Sequence, residues 1–398
     1  MANSRVYDAI VVGVGAMGSA ALYQLAKRGK RVLGIERFDS PNNMSSHFGY
    51  TRLIRRTHSE DPAMAPLSTR AYELWRDLEL ESEKVNQLLH CNGVVDWGLP
   101  DNSLVVGSQT ACRVNNFDFE VLDGQSLSRR FPGFGLHPEM IGVYQPEGGF
   151  LLPEKCIEAF GFQAQRYGAE LHTHECVLDW DTTPDGGVRV RTDTSAYEAG
   201  SLVITAGPWV STLLPSLKGQ CLPQRQVLSW FQTERPAIYT PQRFPVFNLA
   251  IDSGPLQGHY YGFPEVGVPG FKIGRMNHLG GSVDPDSVNR ETDSRDVELL
   301  RETTAKYFPK AAGKTLSTYV CLWTNTPPAM SPDFETSWRA LFIIDTLPEA
   351  PQVSFFAGDV GKGFKFSSVV GEILADLSSE GETSHEIAIF RSLSKATG

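Results

Sequence analysis

Residues 7–39, YDAIVVGVGAMGSAALYQLAKRGKRVLGIERFD, constrain the fold more than any other stretch of the chain. Residues 9–12 are an apolar, β-branched run of the kind a fully buried parallel strand uses. Gly13, Gly15 and Gly18 follow at G-x-G-x-x-G spacing, and Ala20, Ala21, Leu22 and Leu25 then recur as one face of a helix ending near Gly29. Val32, Leu33 and Ile35 make a second strand, closed by Glu36. Gly13 permits the tight turn, Gly15 lets the backbone approach a pyrophosphate, and Gly18 lets the helix sit close on the strand. Free N–H groups at the helix start suit phosphate, and Glu36 can accept hydrogen bonds from an adenosine ribose. The spacing alone also fits a glycine turn with no ligand. With both strands, the helix and the acid in place, it predicts a dinucleotide site. A ribose-binding acid argues against NADP and leaves NAD and FAD open.

The whole chain sets wider bounds. Its 398 residues, 41% hydrophobic and 21% charged, supply core for two or three domains. A net charge of −10 without a basic patch disfavours nucleic acid as a partner. No apolar run approaches the roughly 20 residues that span a bilayer. Only a few polar residues precede the first strand, so no leader is expected and the cytoplasm is the expected location. Cys91, Cys112, Cys156, Cys176, Cys221 and Cys321 show neither C-x-x-C spacing nor the density of a disulfide scaffold. Each reads first as a small buried apolar residue. The nine histidines show no ligand spacing, and no metal site is expected.

Beyond Asp39 a polar connection leads into TRLIRR, residues 51–56, where Arg52 and Arg55 lie one turn apart if the segment is helical. These arginines fit either solvated, phosphate-paired groups or an anion site, since a guanidinium fork suits carboxylate and phosphate. A helix is expected over residues 66–80 and a strand-like, turn-broken pattern over residues 85–121. Residues 142–150 have boundary turn chemistry, and a helix follows from Pro153. Residues 170–174, 187–192 and 201–209 read as strands, the last ending in Ala206, Gly207, Pro208 and Trp209, where small residues let a ligand touch backbone. Residues 222–281 turn β-branched, aromatic and rich in Pro and Gly, which suggests an antiparallel sheet. Strands at 341–345 and 353–358 return to the opening style. Gly361, Gly363, Phe364 and Lys365 then lead into a helix over residues 369–377, an anion-friendly corner or a solvated turn.

Eight ordered motifs carry a resemblance over essentially the full length. They are the glycine fingerprint with Glu36; Ser46, His47, Gly49, Thr51, Arg52, Ile54 and Arg55; residues 261–264, YGFP; residues 271–274, FKIG; residues 284–286, DPD; Cys321 with Thr324; residues 342–345, FIID; and residues 363–368, GFKFSS. In these the chain resembles the monomeric sarcosine oxidase and N-methyltryptophan oxidase family of flavin amine oxidases, within the wider glycine oxidase and D-amino acid oxidase superfamily.

The resemblance implies an α/β fold with a Rossmann-type FAD-binding domain (residues 1–84, 145–220 and 318–398) and an interleaved antiparallel-sheet substrate domain (residues 85–144 and 221–317). It implies FAD attached covalently through Cys321, a bond that suits the strong nucleophilicity of a thiolate. Lys272 matches the lysine that aids reaction with oxygen, where a cation stabilises developing superoxide. Arg55 and Lys365 match the pair that holds the substrate carboxylate, and Tyr261 and Trp323 would line the amine side. Ala16, Met17, Arg37, Ser46, His47, Thr51, Arg52 and Val177 join the fingerprint, the 206–209 turn and the 361–365 corner as expected cofactor contacts. The implied partners are a small-molecule amine and O2, with no nucleic acid or membrane, and a monomer.

Three positions depart from the family pattern: Met276 and Lys362 stand where histidine is usual, and Trp323 where sarcosine oxidases tend to have tyrosine. All lie on the substrate side. The expected activity is oxidation of the C–N bond of a carboxylate-bearing amine, an N-methyl or other secondary amino acid, to an imine, with O2 reduced to H2O2. Fructosyl amino acids, pipecolate and a biosynthetic cyclic amine remain as alternative substrates. An NAD-dependent dehydrogenase would share the first forty residues but leaves Cys321 and the C-terminal return unexplained; a flavin dehydrogenase subunit would pass electrons to a protein instead.

Overall fold

The computed structural model describes residues 6–59, 61–82, 87–330 and 340–391. The opening unit forms as its pattern dictates: strand Val6–Val12, helix Ala16–Lys27 and strand Val32–Ile35. Val6–Val12 is central, paired in parallel with Val32–Ile35 on one side and Ala196–Ile204 on the other. Glu170–His172 extends the sheet beyond Val32–Ile35, and Ala350–Ala357 joins Ala196–Ile204 in parallel, with Ile343–Leu347 antiparallel at its edge. Antiparallel strands Val177–Thr182 and Val188–Thr192 complete eight strands. Helices Ala16–Lys27, Pro153–Arg166 and Ser367–Glu380 share one buried cluster with the 65–81 helix, so both ends of the chain pack in one core.

A second eight-stranded sheet has the order 315–325, 222–231, 271–275, 258–263, 246–251, 94–98, 141–145, 120–123. All its pairings are antiparallel except Val246–Ile251 with Val94–Gly98. Strand alternation divides its side chains. Val227, Phe231, Phe247, Phe271, Ile273 and Trp97 pack on Leu300, Tyr307 and Phe308 of the helix Ser294–Tyr307 and its end. The other face carries the chemistry described below. A three-stranded ribbon, Arg52–Ile54, Gly149–Leu151 and Leu89–His90, lies between the two. Among the described residues no helix is long and apolar enough to cross a membrane.

The secondary structure departs from the sequence pattern at two places. Arg52–Ile54 is a strand, so the 51–56 segment does not place Arg52 and Arg55 one helical turn apart. The 85–121 region holds a 13-residue helix, Ser103–Asn115, started by the Asn102 side chain accepting from the Leu104 N–H. Its β-branched Val105 and Val106 mask that start, and the cap overrides them.

Candidate functional site

The fingerprint turn is held by backbone proximity. Gly13 has φ +84°, and a Cβ there would lie 2.6 Å from the Thr205 carbonyl oxygen. At Gly18 a Cβ would lie 1.9 Å from the Gly13 carbonyl oxygen. The helix Ala16–Lys27 starts at Gly15 with no side-chain cap and no acid in its first turn, which leaves its leading N–H groups for an anion. Glu36 Oε2 accepts from the Val14 N–H at 2.8 Å and Oε1 from the Phe38 N–H at 3.0 Å. Burial raises the Glu36 pKa, against the pull of those N–H groups. Each oxygen keeps acceptor capacity for a ribose hydroxyl.

This turn opens onto a cavity of about 340 Å³. Its walls include Gly13, Gly15, Ala16, Met17, Glu36, Arg37, Ser46, His47, Val177, Ala206, Gly207 and Trp209. Arg37 lies over the Phe38 and Trp209 rings, and its Nη1 pairs with Asp286 Oδ1 at 2.7 Å. A smaller pocket of about 40 Å³ continues past Ala16, Met17, Ser46, His47 and Asp359, residues that line both, to Arg52, Trp323, Gly361, Gly363 and Phe364. Gly361 (φ +69°) lies against Trp323: a Cβ would meet its ring at 2.4 Å. The uncapped helix start, the acid beside the turn and a cleft running to an aromatic ring fit a flavin dinucleotide. Gly18 works behind the wall, by close packing.

Arg52 organises the loop between the two sheets. Its Nη2 donates to the Ser46 and Phe48 carbonyl oxygens at 2.8 and 2.6 Å, and its Nη1 to the Thr51 carbonyl at 3.0 Å. Glu154 Oε1 holds the same loop from the other side, accepting from the Gly49 and Tyr50 N–H groups at 2.9 and 3.1 Å. His47 is fully buried beside the Arg52 charge. Burial first, then that charge, lower its pKa to about 3, so the ring is neutral near pH 7.

The register of the second sheet gathers the remaining residues. Gln226 faces Cys321, Gln224 faces Trp323, Trp230 faces Lys272, and Gly274 faces both Leu228 and Tyr261. Asn248 lies opposite Tyr261 and also opposite Asp96. Directly paired residues share a face, as do residues two apart. Cys321, Trp323, Lys272, Tyr261, Asn248 and Asp96 therefore all project from one face. The Tyr261 and Trp323 rings are 5.8 Å apart at 30°.

Lys272 is almost wholly buried. Its Nζ donates to the Gly49 carbonyl (2.7 Å), the Thr51 carbonyl (3.0 Å) and Thr51 Oγ1 (2.7 Å), and it lies 4.4 Å from the Phe263 ring centroid. Burial, then the Arg52 charge, pull its pKa well below the lysine range, while three acceptors match the three protons of the ammonium form. Cys321 packs with Leu228, Trp230 and Trp323. Burial pushes its thiol up, and the Arg52 and Lys272 charges act against that.

Arg55 reaches this face through Asp96, and Lys365 stands on the turn Phe364–Phe366. Arg55 Nη1 pairs with Asp96, which is wholly buried. Lys365 Nζ donates to the Lys362 carbonyl at 3.0 Å. The Phe366 ring lies 4.8 Å from His58, which sets the segment after Arg55 against the turn that carries Lys365. Neither these two residues nor Thr51, Cys321, Lys272 and Tyr261 border the two cavities.

Sequence reasoning missed Asp96 and three further acids. Asp359 borders both cavities, and burial raises its pKa. Asp286 borders the larger cavity, and only its place in the DPD motif marked it. Glu154 sits in the first turn of the helix Pro153–Arg166, where an acid is ordinary.

Comparison with known proteins shows the family. The family model described as FAD dependent oxidoreductase matches residues 8–377. The chain is 36% identical to a monomeric sarcosine oxidase of Bacillus sp. (strain NS-129), over 97% of this chain and 96% of that one. It is 31% identical to an N-methyl-L-tryptophan oxidase of Escherichia coli O139:H28, over 97% and 98%. Among solved structures, NikD, described as an unusual amino acid oxidase essential for nikkomycin biosynthesis, superposes with a TM-score of 0.84 at 25% identity, over 98% of each chain. The resemblance read from the eight motifs therefore holds over nearly the whole length, and the chain belongs to the FAD dependent oxidoreductase family.

Proposed function

We propose that the protein is an FAD-dependent amine oxidase that converts an N-methyl or other secondary amino acid to its imine and O2 to H2O2, with FAD bonded to Cys321. The amine loses two electrons and two hydrogens, and oxygen gains them. Supporting the reading most directly is the position of Lys272, buried between oxygens and aromatic faces on the sheet face it shares with Cys321, Tyr261 and Trp323. In this reading the domain division is that of residues 1–84, 145–220 and 318–398 against 85–144 and 221–317, and the protein acts as a cytoplasmic monomer.

When bound, the flavin accepts the hydride equivalent and passes electrons to oxygen. Gly13, Gly15 and Glu36 would hold the dinucleotide, and Arg52 and Glu154 fix the loop whose Ser46 and His47 wall the cleft. Arg55 and Lys365 take the substrate carboxylate and so orient the carbon beside nitrogen. Tyr261 and Trp323 present ring faces to the amine. Lys272 Nζ holds its proton among three acceptors and offers positive charge to oxygen as it is reduced. No protein base is required, because an amine bound in neutral form can give up hydride directly.

Acid precipitation tests the bond. Yellow colour should stay in the pellet for the parent protein and wash out for Cys321→Ala. Colour in the parent supernatant would make noncovalent relatives such as glycine oxidases the better model. Peroxide release from sarcosine, N-methyltryptophan, pipecolate and a fructosyl amino acid then ranks substrates. A bulkier or cyclic secondary amine is the second reading, favoured by Met276, which packs with Leu104 and Ala250 and makes that flank apolar.

A further inference from the structure

We propose that Asp96 is a positioning residue for the substrate carboxylate, acting through Arg55; this rests on the reading of Arg55 as a carboxylate ligand. Asp96 is wholly buried in the strand Val94–Gly98, on the face that carries Tyr261 and Lys272. Four side chains donate to it. Arg55 Nη1 and Asn248 Nδ2 (2.6 Å) meet Oδ1, and Ser108 Oγ and Gln145 Nε2 (2.9 Å) meet Oδ2. Two donors per oxygen fill the acceptor capacity of a carboxylate. The donors come from four separate segments: the stretch after Arg52–Ile54, the helix Ser103–Asn115, and the strands Ile141–Gln145 and Val246–Ile251.

Such a carboxylate has one available geometry, and it passes that geometry to the guanidinium it holds. Gln145 is fixed in turn by Thr57 Oγ1, which lies two residues beyond Arg55 and donates to Gln145 Oε1. Asn248 stands in register between Asp96 and Tyr261, so the network runs along one row of the sheet to the ring expected to meet the amine. A buried ion pair is weak evidence for stability, because desolvation offsets the attraction. A network of this completeness is better explained by the orientation it imposes on Arg55, since a planar fork loses its advantage when it can rotate.

The test uses flavin-loaded protein and two unreactive probes, 2-furoate and its uncharged counterpart 2-furamide, titrated by the visible difference spectrum of the bound flavin. Asp96→Asn should weaken 2-furoate about tenfold or more and leave 2-furamide within about twofold, and KM for the best amino acid substrate should rise more than kcat falls. Equal weakening of both probes would reduce Asp96 to a structural role. Tighter 2-furoate binding would make it a mere countercharge, and either result overturns the proposal. If Asp96→Asn does not accumulate as folded flavoprotein, Ser108→Ala removes one donor from Asp96 and leaves the partners of Arg55 in place. It should shift the furoate-to-furamide ratio about threefold, and an unchanged ratio overturns the proposal. Arg55→Lys tests the underlying reading separately: if that ratio does not move, Arg55 holds no carboxylate and the proposal falls with it.

Discussion

The two sheets make their halves of the site by different means. At the dinucleotide end the contacts are mostly backbone: glycine turns, N–H groups at a helix start and one carboxylate braced by two main-chain N–H groups. On the second sheet they are side chains from strands far apart in sequence, such as Asp96 and Cys321, 225 residues apart (321 − 96) and aligned by register. A backbone site tolerates many side chains and few shape changes. A side-chain site has the opposite sensitivity, and substitutions at each end should separate the two.

The largest effect belongs to the backbone end. Gly18→Ala would place a Cβ 1.9 Å from the Gly13 carbonyl oxygen and 2.6 Å from Thr205 Oγ1, where neither neighbour can retreat. Overpacking of this kind should cost about 3 kcal/mol or more in unfolding free energy and strip the flavin from the purified protein. A stable, fully yellow Gly18→Ala protein would break the contrast, because the fingerprint would then not depend on close approach.

Next comes the side-chain end. Lys272→Met keeps the length of the buried stem and removes the charge beside Thr51 and Gly49. Reoxidation of anaerobically reduced enzyme by O2, followed by stopped flow, should slow roughly 100- to 1,000-fold, the usual loss of one preorganised electrostatic group. Flavin content should hold. A rate within twofold of the parent would move the oxygen site elsewhere.

These two ends were unequally legible in the sequence. The Gly13 to Glu36 unit declares itself because its parts are contiguous and each has one physical purpose. The strands around it follow from apolar runs. Lys272, Arg55 and Trp323 carry no local signal: a lysine on a strand and an arginine pair have bland readings that periodicity cannot reject. Motif resemblance is what marks them; sheet register then puts Lys272 and Trp323 on one face, and Arg55 joins them through Asp96. Asp96 had no such help. It sits in VVDWG, where strand alternation leaves a lone acid on an otherwise apolar element, and only its four donors disclose its place.

The loop between the sheets gives a smaller, pH-dependent effect. His47 is neutral in the native state down to about pH 3, whereas an unfolded histidine takes up a proton below about 6.5. Unfolding therefore binds a proton between those values, and the contribution of His47 to stability is lost as pH falls through that window. His47→Gln keeps an acceptor for the Asn42 N–H and removes the titration. The parent should lose up to about 1.4 kcal/mol per pH unit more than the variant between pH 6 and 4, by denaturant unfolding. Parallel curves would mean that the buried ring becomes solvated before the chain unfolds.

The smallest effect should arise where the two modes meet. Asp286, from the loop after the strand Phe271–Arg275, reaches the mouth of the larger cavity and accepts from Arg37 Nη1 at 2.7 Å and Trp209 Nε1 at 2.9 Å. Those two hydrogen bonds, led by the Trp209 contact, hold its carboxyl below the ordinary aspartate range. The pair is about half exposed, so solvent screens it. Asp286→Asn keeps an acceptor for Trp209 and removes the ion pair. In a Cys321→Ala background, where flavin binding is reversible, it should alter flavin affinity by no more than about 1 kcal/mol, and the difference should vanish at 1 M salt, where the Debye length is about 3 Å. A larger, salt-resistant loss would show that this loop, built from the sheet that carries the chemistry, is also a necessary wall of the dinucleotide site, and the division between the two ends would have to be redrawn.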